Sequence, residues 1–113
     1  MRVIGWFTIL MLAVGAATPA ADKPEKKDQP ATGERVYRQK CGGCHGLNGK
    51  SVPTMAKDWG MRDLISPEVQ EQSDTELNRT ISNGRGHMPP YEMILGQEKI
   101  REVVAYIREL AKK

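Results

Sequence analysis

Five consecutive residues, Cys41-Gly42-Gly43-Cys44-His45, constrain the fold of this chain more than any other segment. They spell C-x-x-C-H, a spacing at which two thiols can each bond covalently to one vinyl group of a single haem. The imidazole of His45 follows directly and is placed to ligate the iron from one face. The motif therefore predicts one covalent c-type haem, attached through Cys41 and Cys44 and ligated by His45.

Other kinds of site also use a C-x-x-C pair. A thioredoxin-type redox site needs a strand before the pair and a helix after it, whereas a polar, helix-like stretch leads into Cys41 and a glycine-rich loop follows His45. Structural zinc usually takes four Cys or His ligands, and outside the motif the chain offers only His87. A disulfide between the two cysteines would close a very small loop and stabilise little.

The N-terminal segment, residues 1–21, has the layout of a secretory signal peptide. Arg2 precedes an apolar run over residues 3–17, and small residues follow at 18–21. The run is too short for a comfortable membrane span, so we expect cleavage near Ala20 or Ala21 and a periplasmic protein. The alternative is an uncleaved segment that anchors the chain to the inner membrane, facing the periplasm.

The rest of the chain divides into a linker and one small domain. Residues 22–30 are charged, contain proline and lack large apolar side chains, which predicts a flexible linker. Residues 31–113 form the predicted domain, whose apolar core is marginal at this size unless a buried haem adds to it. No stripe of Arg and Lys interleaved with aromatic residues occurs, so nothing favours nucleic-acid binding.

Capping signals and apolar periodicity predict an all-α fold. Thr32 is a candidate N-cap for a helix that runs into Cys41. Residues 73–76 form a capping box, and the helix that follows stops at Asn83-Gly84. A short helix within residues 58–65, interrupted at Gly60, and a turn or short helix opened by Pro67 are also expected.

The last helix has the clearest pattern. From about Gln97, apolar residues recur at helical spacing, and charged residues such as Glu102 and Arg108 are expected to face outward. The apolar stripe consists of Ile100, Val103, Val104, Ile107 and Leu110.

The second axial ligand decides what chemistry the haem supports. Met88 is the leading candidate, because glycines before it allow close backbone approach and Pro89-Pro90 stiffen the loop after it. Met55 and Met61 lie close behind His45 and are expected to be packing residues, and Met93 is expected to be buried before the last helix. His87 is a rival ligand, although neighbouring residues in an extended loop point to opposite sides.

These motifs together resemble the class I monohaem cytochromes c, in the short bacterial form. The matching parts are Gly33-x-x-x-Tyr37 leading into the C-x-x-C-H motif, Asn83-Gly84 through Met88-Pro89, and Tyr106 in the last helix. The resemblance implies about four short helices wrapped around one haem, with the first and last helices crossing near Gly33, Tyr37 and Tyr106.

The resemblance also implies further contacts to the haem. In this family a proline carbonyl after the motif accepts the Nδ1–H bond of the proximal histidine, and Pro53 is the candidate here. Trp59 and Arg85 are candidates for hydrogen bonds to the haem propionates.

Three functions are compatible with this sequence. The first is a periplasmic single-electron carrier, not an enzyme, that docks transiently on redox partner proteins. The second is a dedicated cytochrome subunit of a larger oxidoreductase complex, with membrane association only if the N-terminal segment is retained. The third is a haem enzyme or gas sensor with an open coordination position, which carbon monoxide binding would reveal.

Overall fold

The computed structural model of the chain describes residues 15–16 and 31–113. The predicted signal peptide, apart from Gly15 and Ala16, and the predicted linker lie outside these residues. The described part contains no β-strand, only an isolated backbone bridge between Arg85 and Met88, so the predicted all-α class is confirmed. The helical elements, in chain order, are α1 (Thr32–Val36), a π-helical turn (Tyr37–Cys41), α2 (Gly42–His45), α3 (Pro53–Trp59), α4 (Pro67–Gln70), α5 (Asp74–Asn83) and α6 (Glu92–Leu110).

Helices α1 and α6 cross at Gly33, as the resemblance implied. A Cβ atom at Gly33 would lie 2.2 Å from the backbone oxygen of Glu102, so only glycine allows the two backbones to approach this closely. Next to the crossing, the rings of Tyr37 and Tyr106 pack with centroids 5.2 Å apart and planes inclined at 58°. The predicted crossing of the first and last helices near these three residues is confirmed.

The core is built mainly from α6. Its predicted apolar stripe is buried throughout, with Ile100 and Val103 fully inaccessible, and it packs against Leu77 and Ile81 of α5 and Val36 of α1. None of the helices in the described residues is long and apolar enough to cross a membrane.

The start of α6 differs from the prediction. The helix begins at Glu92 rather than near Gln97, and Gly96 breaks it with φ 74° and ψ 162°. Because this break takes the first turn out of phase with the later stripe, Met93 is 97% exposed and Ile94 is 60% exposed. The expectation that Met93 is buried is therefore wrong.

Arg108 and Glu102 do not simply face outward. The guanidinium of Arg108 donates to the carbonyl of Gln70 at 2.8 Å, to Oδ1 of Asp74 at 3.1 Å and to the carbonyl of Gln72. These bonds fasten the connection between α4 and α5 to α6. Glu102 is half-buried at the crossing with α1.

Local signals in the sequence fix the starts of α4 and α5 but not that of α1. The capping box of α5 is confirmed: the amide of Glu76 donates to the Ser73 hydroxyl at 3.1 Å, and the amide of Ser73 donates to the Glu76 carboxylate at 2.7 Å. Pro67 opens α4 as predicted. The first helix, however, is preceded by Ala31 without a side-chain cap, so the prediction of Thr32 as N-cap is wrong.

Helix α3 lies earlier in the sequence than predicted. Pro53 occupies its first turn, where a missing amide proton costs no hydrogen bond, and Gly60 ends it in the left-handed conformation with φ 63°. Residues 60–63 are not helical. The predicted helix within residues 58–65 is therefore replaced by a helix that ends at Trp59.

Candidate haem site

A cavity of about 410 Å³ opens between the C-x-x-C-H segment and the loop that carries Met88. Cys41, Cys44, His45 and Met88 all line it, although Met88 lies more than forty residues from the motif. The rest of the wall is largely apolar and comes from α4, α5, α6 and the segment after α3, through Leu64, Val69, Leu77, Ile81, Val103 and Ile107.

The cysteines are presented by the π-helical turn and by α2. The amide of Gly42 donates to the carbonyl of Tyr37, five residues earlier, and the single turn of α2 then carries Cys44 and His45. Cys41 is buried and Cys44 half-buried, and neither forms a disulfide. Burial, with a smaller effect of Cys44, raises the pKa of the Cys41 thiol to about 11, so this group is protonated at neutral pH.

The alternative sites for a cysteine pair find no support in this geometry. No strand precedes Cys41 in the described chain, as a thioredoxin-type site requires. Within residues 15–16 and 31–113, no group of three or more His, Cys, Asp or Glu side chains is arranged to hold a metal ion. A four-ligand zinc site is thus not built from these residues.

His45 is half-buried, and burial lowers its pKa, which favours the neutral imidazole that can donate a lone pair to a metal. Its Nδ1 atom is buried without a hydrogen-bond partner in the described structure. The predicted bond from Nδ1 to the carbonyl of Pro53 is therefore not formed. Pro53 is the first residue of α3 and does not line the cavity.

The Met88 loop is a tight reversal at the end of α5. The amide of Arg85 donates to the carbonyl of Met88 at 3.0 Å, and the amide of Met88 donates back to Arg85 at 2.9 Å. Gly84 precedes this pair with φ 73°, and a Cβ atom there would lie 2.6 Å from the carbonyl oxygen of Met88. The glycine thus allows the loop to fold back on itself, and close approach of this backbone to the haem stays a prediction.

Tyr91 fastens the far end of this loop. Its amide donates to the carbonyl of Ile81 in α5 at 3.0 Å, and its hydroxyl donates to the carbonyl of Lys40 in the π-helical turn at 3.2 Å. Burial raises the pKa of this phenol above its ordinary value. Sequence reasoning missed this role, because no local pattern signals a contact between residues 51 positions apart.

Two aromatic rings meet at the mouth of the cavity. The indole of Trp59 stacks on the imidazole of His87, with centroids 4.6 Å apart and planes inclined at 13°. Both residues line the cavity, as does Arg85. The structure thus brings Trp59 and Arg85 to the predicted site, while their hydrogen bonds to haem propionates remain predictions.

Met61 also lines the cavity, whereas Met55 and Met93 do not. Met61 is not part of the hydrophobic core or of the side chains packed against it, so its role as a packing residue stays a prediction. Met88 remains the predicted axial ligand. It lines the same cavity as the C-x-x-C-H motif, but it lies on a loop from a distant part of the sequence.

The charged side chains around the cavity favour an anionic ligand. Lys40, Arg62 and Arg85 line it, and its lining residues include no Asp or Glu. Haem carries two propionate groups on an otherwise apolar macrocycle. An apolar cavity with cationic side chains, two thiols, an imidazole and a thioether therefore fits a covalently attached haem.

Comparison with known proteins agrees with this reading of the cavity. The sequence model of the family described as cytochrome c oxidase, cbb3-type, subunit III matches residues 28–107. A cytochrome c6 of Gloeothece citriformis (strain PCC 7424) is 35% identical over 82 residues, which span 72% of this chain and 71% of that protein. The cytochrome c-551 of Bacillus subtilis (strain 168) is 32% identical over 96 residues, spanning 77% and 75%.

A solved structure shares the fold. The KustC0563 c-type cytochrome superposes with a TM-score of 0.63 at 28% sequence identity, covering 69% of this chain and 95% of that one.

Proposed function

The chain belongs to the family of small monohaem c-type cytochromes and carries one covalently bound haem c, and on that premise we propose that it is a single-electron carrier with His45 and Met88 as axial ligands. The observation that carries the proposal is the meeting of Cys41, Cys44, His45 and Met88 around one cavity. The two thiols supply the covalent attachment, while an imidazole nitrogen and a thioether sulfur supply the two axial bonds.

The bound haem supplies reversible one-electron chemistry at its iron. His45 and Met88 would both ligate the iron, so neither a substrate nor a gas would have to bind for an electron to pass. Backbone bonds from Gly84 to Thr80 and from Tyr91 to Ile81 fix both ends of the Met88 loop. Fixed ends would limit rearrangement of the loop on oxidation, which favours electron transfer over catalysis.

We further propose that the protein acts in the periplasm. The support is the signal-like composition of residues 1–21 together with a motif whose thiols must be reduced during attachment. The N-terminal sequence of the purified protein tests this, because export with cleavage predicts a start near residue 21 or 22. A mature protein that begins at residue 1 and purifies with membranes would support the anchored alternative.

A dedicated subunit of an oxidoreductase complex is the second candidate. It is favoured by the match to the family described as cytochrome c oxidase, cbb3-type, subunit III. Purification from the native membrane and soluble fractions separates the two candidates: a carrier elutes alone and transfers electrons to and from more than one partner, whereas a subunit co-purifies with a catalytic chain.

Carbon monoxide tests the proposed closed coordination. With His45 and Met88 both bound, the spectrum of the reduced protein at neutral pH is expected to remain unchanged under carbon monoxide. Under carbon monoxide the wild-type protein should still be oxidised and reduced reversibly by one electron per chain. Rapid formation of a carbon monoxide adduct by the wild-type protein would contradict the carrier and indicate an enzyme or a gas sensor.

A further inference from the structure

Trp59 lies where α3 ends, against the tip of the Met88 loop. We propose that Trp59 is a positioning residue for Met88: its indole stacks on His87 and thereby holds the loop closed over the cavity. The inference rests on the proposed role of Met88 as axial ligand and adds to it the side chain that keeps this ligand in place.

Hydrogen bonds hold the ends of the loop but not its tip. At one end the amide of Gly84 donates to the carbonyl of Thr80 at 2.9 Å, and at the other the amide of Tyr91 donates to the carbonyl of Ile81 at 3.0 Å. Between them, Gly86 has a positive φ of 56° and would meet no neighbour if it carried a Cβ atom. Met88 itself packs against the core, and the stack on Trp59 adds a contact between His87 at the tip and another element.

Trp59 is itself tied to the other side of the cavity. The residue before α3, Val52, donates its amide to the carbonyl of Cys44 at 3.0 Å, which couples the helix to the haem-binding motif. Gly60 ends α3 directly after Trp59, so the indole stands at the mouth of the cavity, where it is 44% exposed. The stack therefore joins the segment that carries His45 to the loop that carries Met88.

The arrangement of the two rings is the one expected of a specific contact. Their planes are nearly parallel and their centroids lie 4.6 Å apart, within the range of offset aromatic stacking. A contact of this kind shifts an equilibrium by about two- to tenfold. Loss of the stack should therefore raise the population in which the loop is open and Met88 is off the iron by about that factor.

Added imidazole measures this population, because it can bind the ferric iron only when Met88 has left. Its apparent affinity scales with the fraction of open protein. We expect Trp59→Ala to bind imidazole about two- to tenfold more tightly than the wild type. Trp59→Phe, which keeps a ring that can stack, should stay close to the wild-type affinity.

Substitution of His87 tests the same stacking contact from its other side. His87→Ala should tighten imidazole binding as much as Trp59→Ala does, and the double variant should show no further effect, because both changes remove one contact. Met93→Ala is the matched control, since it removes a large, almost fully exposed side chain that does not line the cavity. Thermal unfolding of each holoprotein shows whether the variants are folded at the assay temperature.

The outcomes separate this inference from the proposal on which it rests. The positioning role would be overturned if Trp59→Ala bound imidazole with the same affinity as the wild type. It would also be overturned if the effects of Trp59→Ala and His87→Ala on imidazole affinity were fully additive in the double variant. If Trp59→Ala does not fold, Trp59→Phe and His87→Ala still decide the question. Met88→Ala is expected to bind imidazole far more tightly than every other variant, and if it does not, the ligand assignment fails rather than the role of Trp59.

Discussion

Gly84 shows how a single residue controls the geometry of the proposed ligand loop. Its backbone, with φ 73° and ψ 169°, lies in a region that is essentially restricted to glycine. Three backbone atoms of residues 88–90 lie within 3 Å of the place where a Cβ atom would be built. The end of α5 and the return of the Met88 loop therefore both depend on the absence of a side chain here.

Gly84→Ala is expected to displace the Met88 loop and to destabilise the holoprotein by about 1–3 kcal/mol, the usual range for such backbone strain. Displacement of the loop is measured by the weak far-red absorption band that sulfur-to-iron ligation gives in the ferric protein. The loss of stability is measured by the midpoint of thermal unfolding. Gly86→Ala, in the same loop and also at positive φ but in open space, is the control and should leave the band in place. Equal loss of the band in both variants would contradict the steric argument.

Tyr37 links the first helix to the motif. The residue is completely buried, and its hydroxyl donates to the carbonyl of Gly46, directly after His45, at 2.7 Å. Burial, with smaller effects of Cys41 and Tyr106, raises the pKa of this phenol well above its ordinary value of 10. The folded protein thus holds the proton more tightly than the unfolded chain does.

This difference predicts a pH-dependent loss of stability. Below pH 10 the phenol is protonated in both states and contributes no pH dependence, while above pH 10 only the unfolded chain ionises and the folded state loses stability. Tyr37→Phe should lower the free energy of unfolding by about 1 kcal/mol at pH 7 through the lost hydrogen bond, and should weaken its decline above pH 10. Denaturant unfolding at several pH values checks this, and an unchanged alkaline decline would contradict it.

Tyr106→Phe is the control for that experiment. Tyr106 packs against Tyr37, but its hydroxyl makes no hydrogen bond within the described residues. The variant should therefore be close to the wild type at pH 7.

At the scale of elements, α5 connects a strong start signal to the ligand loop. The capping box of Ser73 and Glu76 begins the helix, Leu77 and Ile81 fix it on the core, and Gly84 ends it. Each of these features was predictable, because capping residues and apolar spacing act through neighbours within one or two turns.

Ser73→Ala removes one half of the capping box and is expected to destabilise the holoprotein by about 1 kcal/mol. For a domain of this size that corresponds to a fall in thermal midpoint of about 4–8 °C. The absorption spectrum of the haem should not change, since the loop lies at the other end of α5. Thr75→Ala, at an exposed neighbouring position, is the control, and an equal fall in that variant would contradict the capping argument.

The bounds of α3 and the break in α6 could not be predicted from local sequence patterns. The proline and the glycine that bound α3 are visible in the sequence, yet the apolar residues after Gly60 suggested a helix where residues 60–63 are not helical. In α6 the stripe from Ile100 onward was predictable, but the break at Gly96 was not, and it turns Met93 to solvent. Of the apolar residues just before Gly96, Leu95 packs against the core while Met93 and Ile94 are exposed.

At the scale of the whole molecule, the site combines a local motif with contacts between distant segments. The C-x-x-C-H motif and Met88 in its proline-stiffened loop predicted the cofactor. They also predicted most of the side chains that would bind it in the cavity. The bonds from Tyr91 to Lys40 and from Arg108 to Gln70 join residues 51 and 38 positions apart. They leave no periodic trace in the sequence, and neither does the stack of Trp59 on His87.

The proposed electron carrier depends on ligation of the haem iron by both His45 and Met88. Absorption spectroscopy of the ferric protein in the far red, where sulfur-to-iron ligation gives a weak band, measures whether Met88 is bound. We expect the band in the wild type and in His87→Ala, and its complete loss in Met88→Ala. A band that persists in Met88→Ala, or that is absent from the wild type, would contradict the assignment.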